Sequence, residues 1–330
     1  MGSAIKSCLL CVCALLTCRV AIAQTTQPST LTVQSNLVLV PTLVQDEKGG
    51  VLYGLTASQF VVKDNGVVQK VHVEDSEEAR GLSLVVLVQC SRSAWRETNN
   101  LRGLATMVEA VIGDAPAETA VVFFGSKPEL VGGFTRNSAQ THDVVMDYKA
   151  CVDDDGDAIF DAVDYAAKLL ETRDPHRRRA ILLISETRDH GSEAKPDAVI
   201  ARLGASNIVV DAVAFSPGKS QLLYELKHGP PPGAKTDWTP LLVMAVEAAR
   251  KNAPKEFAGL SGGEYINFTT QKSFDRSLGS VANHIHNGYL LSFQARGDGA
   301  AGMHVISVEV PGVKATVRHR ESYWFGDAKR

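Results

Sequence analysis

A continuous apolar run, Leu82–Val88, is the feature that most constrains how this chain can fold. It has the length of a strand, and apolar runs of this kind are typical of strands that are covered on both faces in a parallel sheet. The run ends in a polar turn that contains Gln89, Ser91 and Ser93. Because open α/β sheets bind their ligands at the carboxyl ends of the strands, we expect any functional site to include this turn.

Strand-like and helix-like patterns alternate through the middle of the chain. The expected strands are Leu82–Val88, Thr119–Phe124, Ala180–Ser185, Ile208–Ala214 and Tyr265–Phe268. The expected helices are Arg96–Ile112, Ser138–Tyr148, Ala158–Glu171, Lys195–Leu203, Leu241–Leu260 and Phe274–His286. This alternation predicts an α/β fold: a doubly wound, mostly parallel, Rossmann-like sheet with helices on both faces.

Both flanks of this segment are rich in β-strand patterns. The expected strands are Leu37–Val40, Thr42–Val44, Phe60–Lys63 and Val67–Val73 before it, and Tyr289–Phe293, His304–Val310 and Ala315–Arg318 after it. Asn65-Gly66 between β-branched runs is a strong hairpin signal. An isolated hairpin is marginally stable, so we expect the two flanks to pair into one small β-sandwich. The expected domains are sandwich strands over 31–78 and 288–325, with the α/β domain, 79–287, between them.

The first 23 residues have the pattern of a secretory signal. Lys6 precedes an apolar core from Cys8 to Cys18, and Ala21-Ile22-Ala23 supplies an A-x-A cleavage site. The core is shorter than the roughly 20 residues that a membrane-spanning helix needs. We therefore expect cleavage after Ala23, a polar linker over 24–30 and an exported mature chain, periplasmic or extracellular, without a transmembrane segment. A lipoprotein signal ending at Cys18 is the alternative.

The mature chain would keep two cysteines, Cys90 and Cys151. Exported proteins commonly join such a pair in a disulfide, and two buried, inert thiols are the alternative, because sequence does not show whether the two Cα atoms approach within about 7 Å. Both alternatives stay open.

Charge patterns exclude some functions. A net charge of −3 gives no indication of a nucleic-acid partner. The acidic run Asp153–Asp157 resembles a calcium loop, but Ala162 stands where an EF-hand needs a bidentate Glu. The basic run His176–Arg179 is either a solvated strand entry or a surface for an anionic partner.

Several segments resemble the von Willebrand factor type A (vWA) proteins, and most closely the bacterial VWFA-related acidobacterial-type domain proteins. They are Val38–Val44, Gly54–Gly66, Gln69-Lys70-Val71, Gly262-Gly263, Tyr289 and Arg320-x-x-Tyr323. The resemblance covers nearly the whole mature chain. It implies a vWA domain that binds proteins and is not an enzyme.

The vWA proteins normally carry a metal-ion-dependent adhesion site. Its pattern is Asp-x-Ser-x-Ser after the first strand, a Thr before a middle helix and an Asp after the fourth strand, since Mg²⁺ prefers hydroxyl and carboxylate oxygens. Here Ser91 and Ser93 match the pattern. Gln89, Asp157 and Glu186 replace the first Asp, the Thr and the last Asp.

The resemblance therefore implies a degenerate adhesion site. Its candidate ligand-binding residues are Gln89, Ser91, Ser93, Asp157 and Glu186. In one interpretation the metal is lost, because a neutral amide is a poor substitute for a carboxylate. In the other, the four residues besides Gln89 hold Mg²⁺, Mn²⁺ or Ca²⁺, because two carboxylates are still present.

The expected function is protein binding through this group of loops. One alternative is a structural component of an envelope complex that binds through the sandwich and leaves the vWA site idle. A more remote alternative is a hydrolase with Ser91 or Cys90 as nucleophile, which would need a base within hydrogen-bond reach.

Overall fold

The structure of the chain is a computed structural model that describes residues 37–74, 81–95, 103–113, 116–215, 238–268, 288–295 and 301–326. The expected signal segment, the linker over 24–30 and the helix expected at Phe274–His286 lie outside the described residues. No helix in the described ranges is long and apolar enough to cross a membrane.

The described part of the chain contains the following strands and helices. The strands are β1 (Leu37–Asp46), β2 (Val61–Asp64), β3 (Val67–Gln69), β4 (His72–Val73), β5 (Leu82–Gln89), β6 (Ala117–Phe124), β7 (Pro128–Thr135), β8 (Arg178–Ser185), β9 (Ile208–Phe215), β10 (Tyr265–Phe268), β11 (Tyr289–Gln294), β12 (Gly302–Glu309), β13 (Ala315–His319) and β14 (Ser322–Phe325). The helices are α1 (Arg92–Trp95), α2 (Leu104–Ile112), α3 (Ser138–Met146), α4 (Ile159–Glu171), α5 (Pro196–Ser206), α6 (Trp238–Lys251) and α7 (Ala253–Ser261).

A six-stranded sheet forms the centre of the chain, in the order β10-β9-β8-β5-β6-β7. Neighbouring strands from β10 to β6 are parallel, whereas β7 joins the edge antiparallel to β6. The expected α/β fold with a mostly parallel sheet is confirmed. The edge strand β7 was not expected, since its Gly132-Gly133 pair weakens the strand pattern.

The position of β5 explains its unbroken apolar sequence. Val85 and Leu87 pack on one face of the sheet, in a core that includes α4, α5 and α7. Leu84, Val86 and Val88 pack on the other face, in a core that includes α2 and α3. Because both faces are covered, every side chain of β5 must tolerate burial.

The two flanks pair with each other in two four-stranded sheets, with orders β13-β1-β11-β4 and β14-β12-β2-β3. Strands β1 and β2 come from the amino-terminal flank, and their partners β11 and β12 come from the carboxyl-terminal flank. A shared apolar core that includes Phe60, Phe293 and Tyr323 lies between the sheets. The expected sandwich is confirmed, and so is the hairpin, in which Asn65 and Gly66 have φ of 50° and 82°.

Two expected elements are interrupted in the structure. The single strand expected at Val67–Val73 is divided, because the chain leaves one sheet after β3 and enters the other at β4. The single helix expected at Leu241–Leu260 is divided at Asn252, whose side chain accepts a hydrogen bond from the Lys255 N–H and begins α7. Pro254 lies in the first turn of α7, where its missing N–H costs nothing.

Other differences are at the ends of elements. The first residues of the helix expected at Arg96–Ile112 lie outside the described part of the chain. In the described part, this helix is α2, which begins at Leu104. Strand β14 was not expected, although Tyr323 belongs to the sequence motif that carries the family resemblance. Its four residues pair with β12 at the edge of the sandwich.

The Arg320 guanidinium joins the sandwich to the central domain. It donates to the Leu39 carbonyl of β1 at 3.1 Å and to the Ser322 carbonyl at 2.7 Å. It also donates to the Gly204 carbonyl and to Asn207 Oδ1, both at 2.6 Å, at the end of α5. Only 2% of Arg320 is exposed. Burial lowers its pKa to about 10, so it stays charged at neutral pH.

Gly263 lies where the chain leaves α7 and turns into β10. A Cβ atom at this position would lie 2.1 Å from the Val210 carbonyl oxygen of β9, so only glycine lets the two backbones approach this closely. The adjacent Gly262 has φ of 83° and ends α7 in the left-handed conformation. These contacts give a physical reason why both positions of the Gly262-Gly263 motif are glycine.

We predict that Glu256→Gln stabilises the protein in a pH-dependent way. Burial and the neighbouring Glu321 raise the pKa of Glu256 to about 7, although Lys255 opposes the shift. A carboxyl whose pKa is higher in the folded than in the unfolded state destabilises the fold progressively as pH rises through that interval. We expect a gain of about 1–2 kcal/mol in unfolding free energy at about pH 8, and none at about pH 4, by urea denaturation.

The matched control is Glu247→Gln on α6, where the carboxylate is 58% exposed. Equal effects of the two substitutions, or a gain for Glu256→Gln that does not change with pH, would contradict the prediction.

Candidate functional site

The carboxyl ends of β5 and β8 bring the first two candidate residues together. These strands are parallel neighbours, with Val88 opposite Ile184. Gln89 is the last residue of β5, and Glu186 follows the last residue of β8. The Glu186 backbone N–H donates to Gln89 Oε1 at 2.7 Å, so the Gln89 side chain joins the two strand ends.

The Gln89 amide nitrogen joins two further candidate residues. Nε2 donates to Ser91 Oγ at 2.9 Å and also to Asp157 Oδ1. The Ser91 hydroxyl donates to the same carboxylate oxygen. Gln89 and Ser91 have no exposed surface, and Asp157 is 5% exposed. The structure therefore brings Gln89, Ser91 and Asp157 into one buried hydrogen-bonded group, which we call the Gln89 cluster.

The two remaining candidate residues are Glu186 and Ser93. Glu186 is 9% exposed and contributes its backbone N–H to the Gln89 cluster. Ser93 lies in the short helix α1, but its side chain is outside the described part of the structure.

An amide changes the chemistry at the centre of such a cluster. A carboxylate at position 89 would only accept hydrogen bonds, and it would place a second negative charge near Asp157. An amide donates through its nitrogen and accepts through its oxygen, and Gln89 uses both ends here. Its two N–H groups interact with oxygens of the kind that would otherwise ligate a cation.

A disulfide attaches the next loop to the cluster. Cys90 and Cys151 are bonded, with their Cα atoms 5.0 Å apart. The Cys151 backbone N–H also donates to the Cys90 carbonyl at 2.5 Å. Near the same place, the Tyr148 hydroxyl donates to the Gln89 carbonyl at 2.9 Å, and burial raises the pKa of Tyr148 above its usual value.

The acidic run Asp153–Asp157 is a structural turn. Asp154 accepts hydrogen bonds from the N–H groups of Ser126 and Gly156, both at 2.8 Å, and from the Ser126 hydroxyl. Burial opposes its ionisation, but these bonds outweigh that effect and keep the pKa of Asp154 below its usual value. Sequence reasoning missed this role, because Ser126 lies in a different loop.

A fourth loop, after β8, completes the arrangement. The backbones of Asp157 and His190 exchange two hydrogen bonds, of 3.0 and 2.9 Å. His190 Nδ1 is 3.9 Å from Asp157 Oδ2. Asp189 accepts from the Phe160 N–H at 3.0 Å and so secures the start of α4. Four loops are thus cross-linked at one edge of the sheet: those after β5 and β8, the turn between β6 and β7, and the loop between α3 and α4.

Exposed polar side chains surround the buried cluster. They are Arg92, Asp155, Arg188 and His190, and we call them the loop face. Arg92 Nε donates to the Val152 carbonyl at 3.0 Å and pairs with Asp155 at 3.1 Å. The loop face therefore presents both signs of charge above a rigid base.

Neither proposed nucleophile is accessible. Cys90 is part of the disulfide and has no free thiol. A carboxylate, Asp157, does lie within hydrogen-bond reach of the Ser91 hydroxyl, but no surface of Ser91 is exposed to a substrate. Within the described residues, no group of three or more His, Cys, Asp or Glu side chains is placed to hold a metal ion.

Comparison with known proteins gives distant structural similarities only. No family model matches the chain, and no curated protein matches it. The conserved hypothetical protein BatB from Bacteroides thetaiotaomicron is 14% identical with a TM-score of 0.44, over 62% of this chain and 97% of BatB. An aerotolerance-related membrane protein from Bacteroides fragilis is 15% identical with a TM-score of 0.42, over 62% of this chain and 99% of that protein.

A third similar structure is proximal thread matrix protein 1 from the mussel byssus, which has a zinc-occupied MIDAS motif. It is 12% identical with a TM-score of 0.45, over 67% of this chain and 48% of that protein. At these identities the likeness extends no further than the fold.

We predict that Gln89→Ala strongly destabilises the protein. The substitution would remove the partner of the Glu186 N–H and the donors to Ser91 and Asp157, inside a buried site. Leaving buried polar groups unpaired costs about 1–3 kcal/mol each, so we expect a loss of about 2–4 kcal/mol in urea denaturation.

The control is Gln140→Ala on α3, where the side chain is exposed and accepts one hydrogen bond from Thr135. A loss below about 0.5 kcal/mol for Gln89→Ala, as expected of an ordinary surface substitution, would show that the cluster contributes little.

Proposed function

We propose that this protein is an exported, non-enzymatic protein-binding module of the vWA type that binds its partner through the loop face, without a metal ion. The observation that carries the proposal is the Gln89 amide at the centre of the buried cluster. The hydrogen bonds of this amide join the loops of the site. In a vWA adhesion site, a bound cation joins the corresponding loops.

Metal independence is supported by the bonding of the candidate ligands. Ser91 Oγ and Asp157 Oδ1 both accept from Gln89 Nε2, and the hydroxyl donates to the carboxylate. A cation would have to break these hydrogen bonds before it reached the same oxygens. The negative charge of Asp157 is already stabilised by two donors.

Rigidity of the loops supports a binding role. The disulfide, the Asp154 turn and the backbone pair between Asp157 and His190 connect four loops before any partner arrives. A surface that is already ordered loses less conformational entropy on association. The loop face is therefore suited to recognition, and its paired charges suit a polar protein surface.

Export is supported by the disulfide as well as by the signal pattern in the sequence. Disulfides form and persist in the periplasm and outside the cell, and they are rare in reducing compartments. The proposal of a non-catalytic role is supported by the burial of Ser91 and the oxidation of Cys90, the two residues that could have acted as nucleophiles.

A second candidate function uses the sandwich as the binding surface. Strand β3 is at the edge of its sheet, and Val67 and Val68 on it are 48% and 61% exposed. Edge strands with free backbone groups are common sites for pairing with another chain. This arrangement favours the alternative of a structural component in an envelope complex.

Site-specific photo-crosslinking distinguishes the two functions. A photoreactive amino acid is placed at Asp155 or His190 on the loop face, or at Val68 on β3, and the mature protein is incubated with envelope extract of the source organism. We expect the same adduct from both loop positions, unchanged by EDTA and absent from Val68.

A competition experiment adds a second readout. Unlabelled protein should compete for the adduct, whereas unlabelled Asp155→Arg should compete less well. The control Glu109→Arg changes an exposed carboxylate on α2, away from the loop face, and should compete like wild type. An adduct from Val68 alone would support the sandwich function instead, and an adduct that EDTA abolishes would contradict metal independence.

A further inference from the structure

A cavity of about 260 Å³ lies between the sandwich and the amino-terminal edge of the central sheet. Its walls include Leu39 and Leu290 from the sandwich and Asn207 at the end of α5. The basic run His176–Arg179 and Arg320 also line it. This site is at the opposite end of the parallel strands from the loop face, so it is independent of the proposed binding function.

The arginines of this cavity differ in how their charge is balanced. Arg177 lies 3.8 Å from the Glu118 carboxylate and donates to the Leu82 and Pro116 carbonyls. Glu118 also pairs with Arg173 at 2.9 Å. Arg177 is thus held by an established network and contributes mainly to the wall.

The positive charges of Arg320 and Arg179 have less compensation from neighbouring carboxylates than that of Arg177. Within the described residues, the side-chain partners of Arg320 are neutral oxygens only. Arg179 Nη2 donates to the Arg173 carbonyl at 2.6 Å, while its buried Nε atom has no hydrogen-bond partner among the described atoms. Neither guanidinium forms an ion pair in that part of the chain.

Nearby carboxylates do not neutralise the cavity. Burial lowers the pKa of Arg179, and the nearby Glu171 and Asp174, which favour its charged form, do not offset this effect. Glu171 is itself engaged by Arg202 at 2.9 Å and by the Ser206 hydroxyl at 2.7 Å. Buried cations without a counter-charge are costly, so the cavity favours an anion.

We propose that this cavity binds a phosphate group, either as the free ion or on a small molecule. Guanidinium donors match the oxygens of phosphate in pairs, and Arg179 and Arg320 are both lining residues of the cavity. The volume is below the roughly 300 Å³ at which pockets for larger ligands begin, which favours a small anion. An anion here would contact both the sandwich and the central domain.

Calorimetric titration of the full mature chain with inorganic phosphate, in a chloride buffer, tests the proposal. We expect saturable binding with one site per chain that weakens as sodium chloride is raised. Arg179→Gln should weaken binding at least about tenfold, because a charge-assisted hydrogen bond is lost. Arg179→Lys, which keeps the charge, should retain part of the affinity.

The matched control is Arg250→Gln on α6, which removes a positive charge from a side chain that is 61% exposed. This variant should bind phosphate like the wild-type protein. Glycerol phosphate and succinate are titrated in parallel. Binding of glycerol phosphate as tight as that of phosphate supports a site for a phosphorylated small molecule, and preference for phosphate alone supports a site for the free ion.

A second measurement does not depend on the folding of any variant. In wild-type protein with isotope-labelled arginine, phosphate should shift the NMR signal of the buried Arg320 guanidinium. No phosphate binding, equal weakening by Arg179→Gln and Arg250→Gln, or binding of succinate in preference to phosphate would overturn the proposal.

Discussion

The hydrogen bonds of the Gln89 amide are the interaction on which the candidate site depends. One side chain accepts from the backbone at the end of β8, and it donates to the Ser91 hydroxyl in its own loop and to the Asp157 carboxylate in another loop. A carboxylate in its place would add negative charge and supply no donor. The arrangement of the loops above the sheet follows from this one neutral, two-ended group.

Much of the fold could be predicted because burial on both faces leaves a clear pattern in sequence. The side chains of the apolar run Leu84–Val88 alternate between two cores, one on each face of the sheet, as a parallel central strand requires. Elements at the margin were harder to predict. Strand β7 contains two glycines, and the boundary between α6 and α7 depends on a single cap at Asn252, within a continuous helical pattern.

The site could be predicted only as a set of positions. The places of Gln89, Asp157 and Glu186 at strand ends and loops followed from the chain order and the family resemblance. That the amide nitrogen faces Asp157, and that Asp154 secures the Ser126 loop, depends on contacts between residues far apart in sequence. No periodicity in the sequence reports such contacts. The same holds for Arg320, which connects β1 to the end of α5.

The central claim is that Gln89 takes over the structural role of a cation, and calorimetric titration of Mg²⁺, Mn²⁺ and Ca²⁺ tests it most directly. The metal-stripped mature protein is compared with Gln89→Asp, which restores the carboxylate of the vWA pattern, and with Asp157→Ala. The account predicts no binding heat for wild type and saturable binding for Gln89→Asp. Saturable binding by wild type that disappears in Asp157→Ala would contradict it.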